Sequence, residues 1–340
     1  MNARVYLDWN ATAPLRPEAR AAMLAAFDLA GNPSSVHAEG RAAKMVIERA
    51  REDVAEAVGC RAAEVIFTSG ATEAAGVLAG FGRVEVAPDA HDCLIAHGRD
   101  GNGATVSAQG LANSETGVIA EIVLQSGTLV LLDAVQALGR IPFAFGWSGA
   151  DFAILSAHKL GGPKGVGALI VKGGVDIASL RLGGGQEMGR RSGTENLAGI
   201  AGFAAAVKAA VSDLEAGVWD RVRALRDGLE ARILAGAPDV VIAGADLERL
   251  PNTSCLVSSG WKGETQVMQM DLAGFAVSAG SACSSGKVRA SRVLTSMGFD
   301  AAAAGSAIRV SLGGTTTEDE VMRFADSWLL HHQRFRARAA

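Results

Sequence analysis

Three short stretches put chemically able side chains just past apolar runs that read as strands. In TSGATE (Thr68–Glu73) a strand turns into a helix start, so backbone N–H groups and the Thr72 hydroxyl could hold a phosphate there. An ordinary strand-to-helix turn capped by Thr explains the same residues. LLDAVQ sets Asp133 at a strand end with Gln136 three residues on. An aspartate in that place is either a cap or a carboxylate able to reach a bound ring. SAHKLGGPKG brings Ser156, His158 and Lys159 past another strand, ahead of a glycine-rich turn. That lysine is either solvent-facing or an amine offered to a carbonyl. A fourth stretch, VSAGSACSSG, surrounds the thiol of Cys283 with small residues and offers it no obvious partner.

Taken together, the first three stretches have a chemical meaning that none has alone. A hydroxyl- and amide-rich loop for phosphate, a carboxylate for a pyridinium nitrogen and a lysine for a Schiff base are the parts that pyridoxal phosphate requires. The carboxylate keeps the ring nitrogen protonated, and the lysine can serve as a base once an amino substrate replaces it.

Such parts need a scaffold that presents strand ends, and the pattern supplies one. EVIFTSG, GTLVLLDA, DFAILSAHK and GALIVKGG are apolar on both faces, as buried strands of a parallel sheet must be. They alternate with helical segments at Pro17–Gly31, Gly40–Gly59 and Asn196–Glu215, which predicts βαβ units. VWDRVRALRDGLEARILAG reads as a further amphipathic helix. Beyond it short strands (VVIAG, TSCLVSS, FAVSAG, AIRVSLG) follow one another, which predicts a domain change near Glu215. Ala301–Ala304 reads as a helix turn. The 340 residues suit about two domains. A net charge of −4 with no long basic run argues against nucleic-acid binding. No apolar run looks long enough for a membrane span, and the start lacks an apolar signal-peptide core. The four cysteines stand apart with no CxxC or Cys/His cluster, so no metal site is expected, and free thiols in a reducing cytoplasm are. Cys93 and Cys255 read as core residues of strand-like segments. His331 and His332 sit in a basic tail that reads as a frayed helix end. No GxGxxG follows the first strand, which disfavours a dehydrogenase.

The chain resembles the cysteine desulfurases of the NifS/IscS type, within the class V aminotransferases. The resemblance is carried, in family order, by YLDWNATAP, GNPSSVHAEGRAA, EVIFTSGATEA, LLDAVQALGRIP, SAHKLGGPKGVGALIV, GGGQEMGRRSGTEN, AVSAGSACSSG and SAIRVSLGGTTTEDEV. It implies the pyridoxal-phosphate transferase fold of type I: an α/β large domain with a mostly parallel central sheet over 12–214, and a smaller α+β domain from 1–11 and 215–340 that carries the Cys283 loop. It implies that Lys159 binds the cofactor covalently, Asp133 pairs with its ring nitrogen and Gln136 contacts the ring hydroxyl. Ala71, Thr72, Ser156 and His158 would take the phosphate, and Ser114 would lie beside the ring. Thr194 would reach the phosphate of the neighbouring subunit of a homodimer. His91 would stack on the ring and move protons, unless it is a surface loop residue. Arg309 would clamp the substrate carboxylate, with a structural ion pair as the alternative, and Asn10 would also contact the substrate. Cys283 would take sulfur from L-cysteine as a persulfide, leave alanine, and pass the sulfur to an iron–sulfur scaffold or a tRNA-thiolation protein. A diverged or partner-dependent relative, or a selenocysteine lyase, is the alternative.

The sequence also departs from the family pattern. Ser114 stands where an asparagine is usual, Ala90 where a glutamate precedes the histidine, and Trp9 where the first asparagine falls. Only 22 residues separate His91 from Ser114, so a strand and helix are expected to be trimmed there.

Overall fold

The computed structural model describes residues 4–280 and 290–339, so Cys283 lies outside the described residues. Contacts divide the chain into a larger unit, Thr12–Ala112 with Ala120–Glu215, and a smaller one, Met1–Ala11 with Asn113–Ile119 and Ala216–Ala340. The Asn113–Ile119 segment, expected within 12–214, therefore groups with the smaller unit. Backbone pairing is the reason: Ile119 N–H donates to Glu248 O at 2.9 Å and Leu250 N–H to Gly117 O at 2.7 Å.

The larger unit is built on a six-stranded sheet in the order Val65–Thr68, Gly167–Val171, Phe152–Ser156, Thr128–Asp133, Thr105–Gly110, Arg83–Val86. The last four of these run parallel, while Gly167–Val171 runs against both of its neighbours. That reversal follows from chain length, because the turn after Ser156 is too short for a parallel crossover. The central strands Phe152–Ser156 and Gly167–Val171 are buried throughout, as their unbroken apolar runs require. One face of the sheet meets the helices Pro17–Phe27, Ala38–Val58 and Leu197–Glu215. Pro17 opens the first at its N1 position, where a missing N–H costs nothing. Gly59, at φ 67°, closes the second in the left-handed conformation. Leu197–Glu215 is, against the sequence expectation, long and apolar enough by composition to cross a membrane. Half of it is buried inside this unit, where its small residues allow close approach to the other two helices.

The His91–Ser114 interval, where trimming is expected, holds the one-turn helix Asp92–Ile95 and the strand Thr105–Gly110. Arg99 secures it. Its guanidinium donates from Nη2 to the carbonyls of Leu78 and Phe81, both at 2.6 Å, and its backbone bridges Val84.

The smaller unit has a four-stranded sheet in the order Ser278–Ala279, Ala307–Ser311, Thr253–Val257, Val241–Ile242, plus the pair Val5–Tyr6 and Phe275–Ala276. Helices Val218–Gly236, Gly263–Leu272 and Glu318–Ala339 belong to it. The basic tail is not frayed: His332 is buried and stacks on Trp328, with ring centroids 5.1 Å apart. Trp9 lies over Gly313, where a Cβ would fall 1.9 Å from Trp9 Cε2. The larger residue at position 9 thus depends on a glycine opposite it.

Candidate functional site

In the larger unit, the expected cofactor residues come from adjacent strand ends. Asp133 ends Thr128–Asp133, and Ser156 ends the parallel neighbour Phe152–Ser156, which runs straight into the 3-10 turn Ala157–Lys159. Asp133 is only 8 % exposed, and its carboxylate accepts the Val135 N–H at 2.9 Å. Burial pushes its pKa up, against the Val135 hydrogen bond and the charges of His91 and Lys159. A desolvated carboxylate of this kind is stabilised by a cationic N–H partner, which is what a protonated pyridine nitrogen offers. Arg140 ties the two strand ends together. It donates to Gln136 Oε1, to Gln136 O at 3.1 Å and to Lys159 O at 3.1 Å. Arg140 lies within QALGRIP, but its role depends on a contact between segments. His158 Nδ1 lies 3.2 Å from Thr12 Oγ1. Burial, and then the charges of Lys159 and Lys164, hold its pKa down at about 4, so the ring is neutral near pH 7.

The TSGATE turn packs tightly beside these residues. Gly70 has φ 156° and ψ 177°, a region almost reserved for glycine, and Gly167 passes so close that its Cβ would fall 2.8 Å from Gly70 Cα. The turn leads into the one-turn helix Ala71–Ala74, on which Thr72 is exposed. Glu73 fastens it, accepting from Ser69 N–H at 2.6 Å and from Arg191 Nε at 3.0 Å. Burial raises the Glu73 pKa, but the Arg191 and Ser69 hydrogen bonds and the Arg191 charge outweigh that and hold it at about 2. Thr194 lies exposed three residues past Arg191, on a segment held by the Gly193 N–H to Gln186 Oε1 bond at 3.1 Å. His91 caps Asp92–Ile95, its Nδ1 accepting the Cys93 N–H at 3.2 Å. The His91 side chain is exposed.

The smaller unit holds the expected substrate residues. Arg309 lies on the wholly buried strand Ala307–Ser311. It donates from Nη2 to Asp8 Oδ1 at 2.7 Å and from Nη1 to Ser114 O at 3.0 Å. The structure therefore contains the ion pair that was the alternative reading for Arg309. Asn10 belongs to the same unit. It is 1 % exposed, and its carboxamide donates to Ser114 O and Thr253 Oγ1 and accepts from Asn252 Nδ2, so it braces Ser114 from inside the unit. Asn113, beside it, closes the turn by accepting the N–H groups of Glu115 and Thr116.

Burial pushes Cys60 and Cys255 up to about 12. Cys93 sits on the Asp92–Ile95 helix rather than on a strand, and is only partly buried. Cys283, the expected nucleophile, is outside the described residues.

Comparison with known proteins agrees with this architecture. The chain matches the aminotransferase class-V model over residues 5–126 and 104–324. A cysteine desulfurase of Cereibacter sphaeroides is 39 % identical, covering 95 % of this chain and 94 % of the relative. That alignment spans 368 positions, more than the 340 residues here, so it carries gaps in this chain. An IscS-like cysteine desulfurase of Mycobacterium tuberculosis is 36 % identical over 93 % of each chain. A solved NifS-like protein superposes with a TM-score of 0.88 at 30 % identity, covering 97 % of this chain and 99 % of that one. The chain belongs to the class V aminotransferases, with the cysteine desulfurases among its near relatives.

Proposed function

We propose that this protein is a pyridoxal-phosphate-dependent cysteine desulfurase, converting L-cysteine to L-alanine and retaining the sulfur as a persulfide on Cys283. The observation that carries the reading is the buried Asp133 carboxylate at one strand end, with Gln136 just past it tied through Arg140 to the backbone of Lys159 past the adjacent strand. The cofactor, when bound, supplies an electron sink for carbanions next to the substrate amine. Lys159 holds it and accepts the proton from the substrate Cα at Nζ. Asp133 would keep a proton on the ring nitrogen, Gln136 would take the ring hydroxyl, and Ser114 would stand in for the asparagine usual at the ring. Ala71, Thr72, Ser156 and His158 bind the phosphate, with Thr194 serving the neighbouring subunit of a homodimer. His91 moves protons at the reacting carbon. Arg309 takes the substrate carboxylate.

The Cys283 thiolate bonds to the substrate sulfur while the carbon–sulfur bond breaks. The electron pair stays on the carbon fragment, which is protonated to alanine. The persulfide then passes to an acceptor protein, an iron–sulfur scaffold or a tRNA-thiolation protein, in a reducing cytoplasm.

The test is a visible spectrum of the purified protein before and after L-cysteine, with alanine quantified. A visible band that shifts, with alanine formed, is expected. Absence of any band after addition of pyridoxal phosphate would refute the reading.

A further inference from the structure

Arg309 is held by a residue that the motifs did not single out. Its Nη2 meets Asp8 Oδ1 at 2.7 Å, with the two side chains only 6 % and 16 % exposed. The second oxygen, Asp8 Oδ2, accepts from Ser278 Oγ at 2.8 Å, so the carboxylate cannot rotate freely. On the other side Nη1 donates to Ser114 O, and that carbonyl is itself held by Asn10 Nδ2 at 3.1 Å. Asn10 in turn accepts from Asn252, which is fully buried.

Two anchors on different nitrogens fix the plane of a side chain that otherwise has many rotamers. They use two of the five N–H donors that a guanidinium carries. Nε is buried and has no partner among the described residues. A pair made only for structure gains nothing from that unmet donor, which costs about 1–3 kcal/mol when left buried. A ligand carboxylate would supply the missing acceptor.

We propose that Asp8 is a positioning residue for substrate recognition. It fixes the guanidinium of Arg309 so that the remaining donors meet the α-carboxylate of an amino-acid substrate. This rests on the reading of Arg309 as the carboxylate clamp. Asp8 does not touch the substrate; it acts through Arg309, and Ser278 acts through Asp8.

The test uses the cofactor-loaded enzyme and Asp8→Ala, Asp8→Asn and Arg309→Gln. Calorimetry gives Kd for L-alanine and for L-alanine methyl ester, which lacks the carboxylate charge, and steady-state assays give KM and kcat for L-cysteine. Loss of a charge-assisted hydrogen bond predicts that Asp8→Ala weakens L-alanine binding and raises KM by about tenfold to a hundredfold. The methyl ester Kd and kcat should stay near wild type, and Asp8→Asn, which keeps an acceptor oxygen, should fall between. If Arg309→Gln loses affinity while Asp8→Ala keeps it, the role of Asp8 is overturned and the clamp stands. If neither variant loses affinity, the clamp reading fails as well. Should Asp8→Ala not fold, Ser278→Ala decides. A rise of about threefold in the L-alanine Kd, a weaker hydrogen-bond loss, is expected, and an unchanged Kd overturns the proposal.

Discussion

Replacing Glu187 should destabilise the larger unit more than most single substitutions. Its carboxylate is bidentate to Arg51, at 2.7 and 2.9 Å, with side chains 1 % and 4 % exposed. It also accepts the Phe67 N–H at 2.9 Å, while Arg51 donates to Val65 O at 2.8 Å. Val65–Thr68 is an edge strand, so this pair satisfies backbone groups that no further strand covers. Glu187 and Met188 meanwhile adopt φ of 50° and 57°, a strained conformation the pair helps to hold. Glu187→Ala leaves the Arg51 guanidinium buried, with the Val65 carbonyl and the exposed Glu48 as remaining partners. Breaking a buried pair from one side costs about 3–5 kcal/mol. At about 2–4 °C per kcal/mol for a unit of this size, Tm should fall by about 6–20 °C. The assay is thermal unfolding of the cofactor-loaded protein at fixed scan rate, with Arg51→Met/Glu187→Leu as the second arm. The double variant removes the orphaned charge but not the orphaned Phe67 N–H, so its Tm should lie between wild type and Glu187→Ala. A Glu187→Ala shift under about 2 °C, or a double variant less stable than the single one, would refute the reasoning.

Three further outcomes are expected. Cys283→Ala should abolish sulfur transfer while leaving the cofactor spectrum intact; sulfide release at the native rate under a physiological reductant would remove Cys283 from the mechanism. Lys159→Ala should lose the visible absorbance of lysine-bound cofactor, and a variant that keeps it would contradict the assignment. Glu73, at about 2 in the folded protein against 4.5 in the unfolded chain, contributes stability that is present above about pH 4.5 and is lost as pH falls toward 2. The Tm gap between wild type and Glu73→Gln should therefore narrow across that window, and a gap that stays constant with pH would show that the carboxylate charge is not the source.

The parts of this fold that could be read from sequence are those whose signal is local. GTLVLLDA and DFAILSAHK are apolar on both faces, so the strands that deliver Asp133 and Lys159 were visible, as were helices with a proline start or a glycine stop. RVEV and TVSAQG were missed as strands because polar residues interrupt short runs, and Arg83–Val86 lies at a sheet edge where one side needs no apolar cover. The direction of Gly167–Val171 depends on a turn length, not on its composition. Asn10 lay in a recognised motif, but its inward-facing carboxamide depends on Asn252 and Thr253, far along the chain. Asp8 was invisible as a partner of Arg309 for the same reason, since 301 positions separate them.

That separation also sets a clock. A ribosome adds about 5–20 residues per second, so Asp8 emerges roughly 15–60 s before Arg309 exists to meet it. Val5–Tyr6 waits nearly as long for Phe275–Ala276. The larger unit, complete at Glu215, can fold during synthesis, while Val5–Tyr6 and Asp8 wait for strands that are made only after it. The nascent polypeptide thus completes the strands that end at Asp133 and Ser156 early, and the Asp8–Arg309 ion pair late.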